Sequence, residues 1–133
     1  MANIGQYGYL NMLNWSLKVA APATPAGCYC GLSLTAPNYS SSYEVGAGSG
    51  YGRQSVTFTT AQNAAGSASA TNLNAFTFGP FSSSAVITGL FLSDTVSSAA
   101  GSCMWYGNLA AARTPLQNDQ LVVNTNALVI TLG

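Results

Sequence analysis

Six side chains carry formal charge in this chain of 133 residues: Lys18, Arg53, Arg113, Glu44, Asp94 and Asp119. Histidine is absent. Acid–base, nucleophilic or metal chemistry would have to come from these six and from Cys28, Cys30 and Cys103. A Ser-His-Asp or Cys-His site cannot be assembled. A Ser-Lys dyad would need Lys18, the only lysine, which falls on a predicted helix where solvent exposure is the ordinary state. Glycoside hydrolysis needs a carboxylate pair. Glu44, Asp94 and Asp119 could supply one, but all three lie in predicted loops with no local pattern that would raise a carboxyl pKa or shape a cleft. Structural zinc takes four ligands, usually Cys and His, and three cysteines fall short. The alternating glycines Gly46, Gly48, Gly50 and Gly52 miss the spacing of a phosphate-binding loop. No dense acidic loop surrounds Asp94 or Asp119, as a calcium site would require. The expectation is a protein that is not an enzyme, with no metal and no cofactor.

The same residues have structural uses. Arg53 stands just before a predicted strand in a chain with few other charges. Its guanidinium suits pairing with Glu44 or Asp94, or capping of backbone carbonyls, and a bridge within the domain is preferred to a contact between subunits. Asp119, in Asn118-Asp119-Gln120, suits a turn closed onto its own backbone. An odd number of cysteines excludes a complete set of internal disulfides, so the three read as small buried apolar side chains. Seven tyrosines remain. Tyrosine gives large contact area at low entropic cost, which suits interfaces; stacking on sugar rings is the competing use.

Only 5% of residues are charged, against a usual share of roughly 25%, and the formal net charge is +0. Free proteins generally stay apart through charged, mixed surfaces. This composition, 48% hydrophobic, fits a protein held in an assembly instead. Three scattered basic residues form no stripe for nucleic acid and no patch for anionic lipid. No segment approaches the roughly 20 apolar residues of a membrane span. Residues 1–4 lack the features of a signal peptide, so synthesis and folding in a cytosol are the default.

These residues are positioned by one predicted helix and a series of strands. Over residues 7–19, Leu10, Leu13 and Leu17 recur at i, i+3 and i+7, with Tyr9 and Met12 beside them, which predicts a helix. Trp15 lies off that stripe and reads as an exposed contact. Pro22 and Pro25 end the helix. The leucine face has two equal readings: packing on its own sheet or docking on a neighbouring subunit. After Pro25 the period falls to two. Residues 28–34 predict a half-buried strand, 55–59 and 74–78 further strands, and 85–92 a central strand covered on both faces. Segments 104–109, 121–123 and 128–132 complete the set, the last with Leu128, Ile130 and Leu132 on one face. Residues 36–52 and 60–71 read as long connections. The predicted architecture is all-β: a β-sandwich or jelly-roll-like barrel of about eight strands with a short N-terminal helix. It is expected to form one domain over 1–133, with helix and Pro-containing linker in 1–24 and the sandwich in 26–133.

The order of segments, with GLSLTAP at 31–37, EVGAGSGYGRQSVTF at 44–58, ITGLFLSD at 87–94, MWYGNL at 104–109 and PLQNDQLVVNTNALVITL at 115–132, resembles a family of small tailed-bacteriophage virion proteins commonly labelled tail-fibre proteins. The most specific piece is Glu44 and the glycine-rich loop, followed by Tyr51, Arg53 and Gln54 before a strand. Two departures affect loop detail: Asn118 precedes Asp119 where family members often have glycine, and Ser93 precedes Asp94 where an aromatic is usual. The resemblance implies a non-enzymatic virion structural protein. The leading expectation is a head decoration or cement protein on the capsid exterior, a homo-trimer bound to the major capsid protein and bridging capsomers. The alternative is a tail-fibre or tail-tip component that contacts tail proteins or a host-surface glycan. Tyr7, Tyr9, Trp15, Tyr43 and Tyr51 are the expected contacts, and Arg53, Glu44 and Asp94 the expected structural ion pair.

Overall fold

A computed structural model describes residues 3–21, 25–38, 43–97 and 103–132. Pro22 lies outside the described residues. Among them the chain forms ten strands and one α-helix: β1 (Asn3–Ile4), α1 (Gln6–Ser16), β2 (Tyr29–Ser33), β3 (Gln54–Ser55), β4 (Gln62–Ala64), β5 (Ser67–Thr71), β6 (Phe76–Phe78), β7 (Ile87–Ser93), β8 (Cys103–Arg113), β9 (Leu121–Val123) and β10 (Val129–Leu132). The fold is all-β with a short N-terminal helix. Three antiparallel sheets are present, ordered β1-β8-β7-β2-β3, β10-β5-β4 and β6-β9.

The core forms where these sheets meet. Cys30, Leu32, Ile87 and Leu92 from β2 and β7 pack with Phe76 and Phe78 from β6, and Phe81 closes one side. Leu121 and Val123 from β9 and Leu128 and Ile130 from the β10 region pack against this cluster. The Phe76 and Phe78 rings meet edge to face at 5.7 Å, and Tyr51 stacks on Phe78 at 5.9 Å. Central placement of β7 follows from its apolar residues on both faces: β2 pairs with one edge and β8 with the other. β2 was expected to be covered on one face, but both are buried. Cys30 and Leu32 point into the core, while Gly31 and Ser33 alternate onto a reverse face that is also closed.

Two expectations are corrected. Residues 60–71 are not a plain connection, because β4 and β5 form a hairpin there. Ala65 (φ 51°) and Gly66 (φ 88°) sit at its tip, and positive φ at both turn positions matches the right-handed strand twist. The helix ends at Ser16 rather than 19. Lys18 takes φ 61°, and the Val19 N–H turns back to Asn14 O at 2.9 Å, so a left-handed residue stops the helix before either proline.

Candidate functional site

Arg53 is at the centre of the most connected polar group. Its Nε and Nη2 donate to the two carboxylate oxygens of Glu44, each at 2.8 Å. Nη1 reaches Ser93 Oγ at 3.0 Å, Thr95 O at 2.9 Å and Thr95 Oγ1 at 3.0 Å. The guanidinium carbon lies 5.1 Å from the centroid of Phe91, close enough for cation–π attraction. Both charged side chains are withdrawn from water, Arg53 to 2% exposure and Glu44 to 11%. Burial by itself lowers the Arg53 pKa, but hydrogen bonding and attraction to Glu44 outweigh it and the net direction is up. Asp94 adds attraction without a hydrogen bond to Arg53 among the described residues. The partner of Arg53 is therefore Glu44. The unit ties the segment before β3 to the end of β7.

Tyr51 belongs to the same unit. Its hydroxyl accepts from the Leu32 N–H at 3.0 Å and donates to Glu44 Oε1 at 2.8 Å. That fills a gap on the β2 edge between β3 and the Val45 N–H to Leu32 O bond of 2.9 Å. Burial, and next Glu44, push the phenol pKa well above its usual value, against a lowering by the Leu32 N–H. Tyr51, expected as a contact, is thus a core residue. Glu44 Oε1 accepts from Arg53 and Tyr51 and Oε2 from Arg53, so the carboxylate is held in place as a structural acceptor. Asp119 closes a turn, its Oδ2 accepting from the Leu116 N–H at 2.9 Å and its own N–H donating to Leu116 O at 3.1 Å.

Asn72 was not anticipated. It is fully buried, yet its side chain is satisfied: Nδ2 donates to Asn74 O and Asn124 O at 2.8 and 2.9 Å, and Oδ1 accepts from the Leu128 N–H at 2.8 Å. It clamps the approach to β10 onto the end of β5. Nothing in its sequence neighbourhood, Thr71-Asn72-Leu73, separates it from a loop asparagine.

Among the described residues, α1 carries a run of exposed apolar side chains. The helix buries none of its residues. Only Tyr7, Gly8 and Asn11 are partly covered. At roughly 100° per residue, Leu13 and Leu17 stand about half a turn from Gly8, and Leu10 is close to them. Gly8 is the contact with the sheet: a Cβ there would come within 2.8 Å of Met104 O and 2.7 Å of Ile4 Cγ2. A residue without a side chain lets the helix lie on β8, and the leucines face away. Leu10, Leu13 and Leu17 are 52%, 56% and 63% exposed, and Trp15 is 66% exposed. Of the two readings of the leucine face, packing on its own sheet is excluded. Tyr9 and Tyr43 are also exposed, and Tyr7 is half-buried.

A second apolar feature is an open cleft. A pocket of about 330 Å³ is bordered by Leu90, Leu92, Trp105, Asn108 and Ile130. It adjoins one of about 260 Å³ bordered by Phe58, Met104 and Leu132, with Leu92, Trp105 and Ile130 shared. The three thiols are free, and burial pushes Cys28 and Cys103 up to about 11 and Cys30 further. Among the described residues no cluster of three or more Cys, Asp or Glu side chains could hold a metal, and no helix is long and apolar enough to cross a membrane.

A family model described as podophage GP4 fiber I protein gp80 matches residues 3–131. No curated protein matches the chain.

Proposed function

The chain belongs to the podophage GP4 fiber I protein family, and from that membership we propose that it is a non-catalytic structural subunit of a virion fibre. It acts as a homo-trimer fastened to neighbouring tail proteins through apolar contact. The observation that carries this reading is the exposed leucine and tryptophan surface of α1 in a protein with only six charged side chains. Apolar surface contributes roughly 25 cal/mol per Å² removed from water, and a charge-poor face meets little of the penalty for burying ionised groups. The chemistry of the site supports the absence of catalysis: Glu44 is held by Arg53 and Tyr51, and Asp119 by its own turn.

The resemblance seen in the sequence put capsid decoration first and the fibre second. The family description names a fibre, which moves the fibre reading ahead. The test is cryo-electron microscopy of virions with and without this protein. Difference density confined to the tail is expected. Density spread over the head lattice would replace the fibre with a capsid-bound role.

A further inference from the structure

We infer that the free edge of β10 and the cleft in front of it form a strand-addition site. It takes an extended, uncharged segment of a neighbouring virion protein with apolar side chains at every second position. The inference rests on the proposed fastening to a neighbouring protein and names the segment that fastens.

The backbone determines what covers this edge. β10 is the last strand of its sheet, and among the described residues no strand pairs with its far side. Along an antiparallel strand, successive residues aim their N–H and C=O groups at one neighbour and then the other. Thr71 turns both of its groups away from β10: its carbonyl accepts from the Thr59 N–H at 2.8 Å, and its N–H donates to Thr59 Oγ1 at 3.0 Å. Thr71 stands opposite Val129. Leu128, one residue earlier, faces β5, its carbonyl accepting from the Asn72 N–H at 3.1 Å. By the same alternation Ile130 and Leu132 face β5, while Val129 and Thr131 aim their backbone groups outward. An extended strand is what pairs with such a row in series.

The edge also lacks the devices that keep sheets apart. Edge strands are ordinarily blunted by charges, proline or bulges. At the other end of this sheet, β4 carries the polar Gln62 and Asn63. β10 reads Val129-Ile130-Thr131-Leu132, with Val129 48% and Leu132 40% exposed.

The cleft sets the chemistry of the added strand. The pocket of about 330 Å³ opens at this edge, with Val129 and Thr131 on one side and Leu90 and Trp105 on the other. The pocket of about 260 Å³ continues along β10 past Ile130 to Leu132. No charged side chain borders either pocket. Same-face side chains of a strand stand about 7 Å apart, so a strand laid along β10 offers residues i and i+2 to successive pockets. A charge at those positions would be desolvated without a partner. Main-chain bonds then supply affinity and the pockets select side chains.

The experiment uses the full chain with Trp15→Phe, which leaves Trp105 as its one tryptophan. It is titrated with a synthetic heptapeptide in which leucine alternates with threonine. The expected result is a saturable blue shift of Trp105 emission, abolished when lysine replaces the leucines. Methylating one set of alternate backbone nitrogens in the peptide should weaken binding at least about tenfold, and methylating the other set should leave it unchanged, because one set alone faces β10. Thr131→Pro removes an outward N–H, a position where edge strands accept proline, and should weaken binding to a similar extent with unchanged circular dichroism. No saturable shift, or an equal effect of the two methylated sets, would overturn strand addition. Sedimentation of the chain alone supplies the remaining outcome. An oligomer that Thr131→Pro reduces to a smaller mass would give the edge to a second copy and overturn the neighbouring protein as its occupant. Peptide binding is indifferent to where the virion holds the protein, so head or tail density tests the fibre reading separately from this site.

Discussion

Arg53 and Glu44 place two of the chain's six charges where little water reaches them. Their scarcity made the pair legible in the sequence, since few other partners existed. What was not legible is that Tyr51 completes the unit, because a tyrosine in a glycine-rich loop reads as a surface residue. A buried pair is costly to break from one side and less costly to replace entirely. Arg53→Ala should cost about 3–5 kcal/mol, because Glu44 is left unpaired in a dry place. Replacing both partners with Arg53→Met and Glu44→Leu should cost clearly less than the single change. Urea denaturation of the three chains decides this, and equal costs would show that the bridge is dispensable packing. The raised pKa values give a second prediction. Above pH 9 the unfolded chain releases thiol protons that folded Cys28 and Cys103 hold up to about 11. Above pH 10 it also releases the Tyr51 phenol proton that the folded chain keeps. Unfolding then releases protons, so stability falls as pH rises. Melting temperatures should be level from pH 7 to 8.5 and decline from about pH 9 upward. No histidine is present to add a step near pH 6.5.

At the scale of elements, period-two patterns located β6 and β10 and a run apolar on both faces located β7, because large apolar side chains mark buried faces. The β4–β5 hairpin escaped because its Ala, Ser, Asn and Gln residues carry no such contrast, and the turn at Ala65-Gly66 is held by backbone conformation. The helix was legible as a helix, but its orientation was not. Periodicity tells which residues share a face; only Gly8 against β8 tells which face turns outward. Gly8→Val should therefore lift α1 from the sheet, since its Cβ would meet backbone at 2.8 Å. Hydrogen exchange should speed up across residues 6–17, with the β7 and β8 amides unaffected; uniform acceleration would show that α1 is integral to the core. Asn72 supplies the opposite case, a buried polar clamp with no sequence signal. Asn72→Ala leaves the Leu128 N–H and two carbonyls without their partner. At about 1–3 kcal/mol for each buried group left unpaired, it should destabilise more than any surface substitution. Thermal unfolding of the variant measures it, and a loss below about 1 kcal/mol would mean that water replaces the amide.

For the whole molecule, charge poverty has a consequence that can be measured without knowing the partner. Arg53 and Glu44 neutralise one another inside and Asp94 is half-buried beside them, which leaves Lys18, Arg113 and Asp119 for the outside. Asp119 is committed to a turn. Contacts between ions on different molecules are screened over about 10 Å at 0.1 M salt and 3 Å at 1 M. An assembly held by such contacts would loosen steadily with added salt. One held by the α1 leucines has almost nothing for salt to screen, and its association constant should change by less than roughly threefold between about 0.05 and 0.5 M sodium chloride. Temperature should act instead. Burial of apolar surface weakens on cooling and carries a negative heat-capacity change. Oligomers should therefore dissociate more readily near 4 °C than near 25 °C, and calorimetric dilution should give an association enthalpy that becomes more negative as temperature rises. Sedimentation across both series separates the mechanisms. Dissociation by modest salt with no response to cooling would require ion pairs from Lys18 or Arg113 and would remove the apolar surface as the basis of assembly.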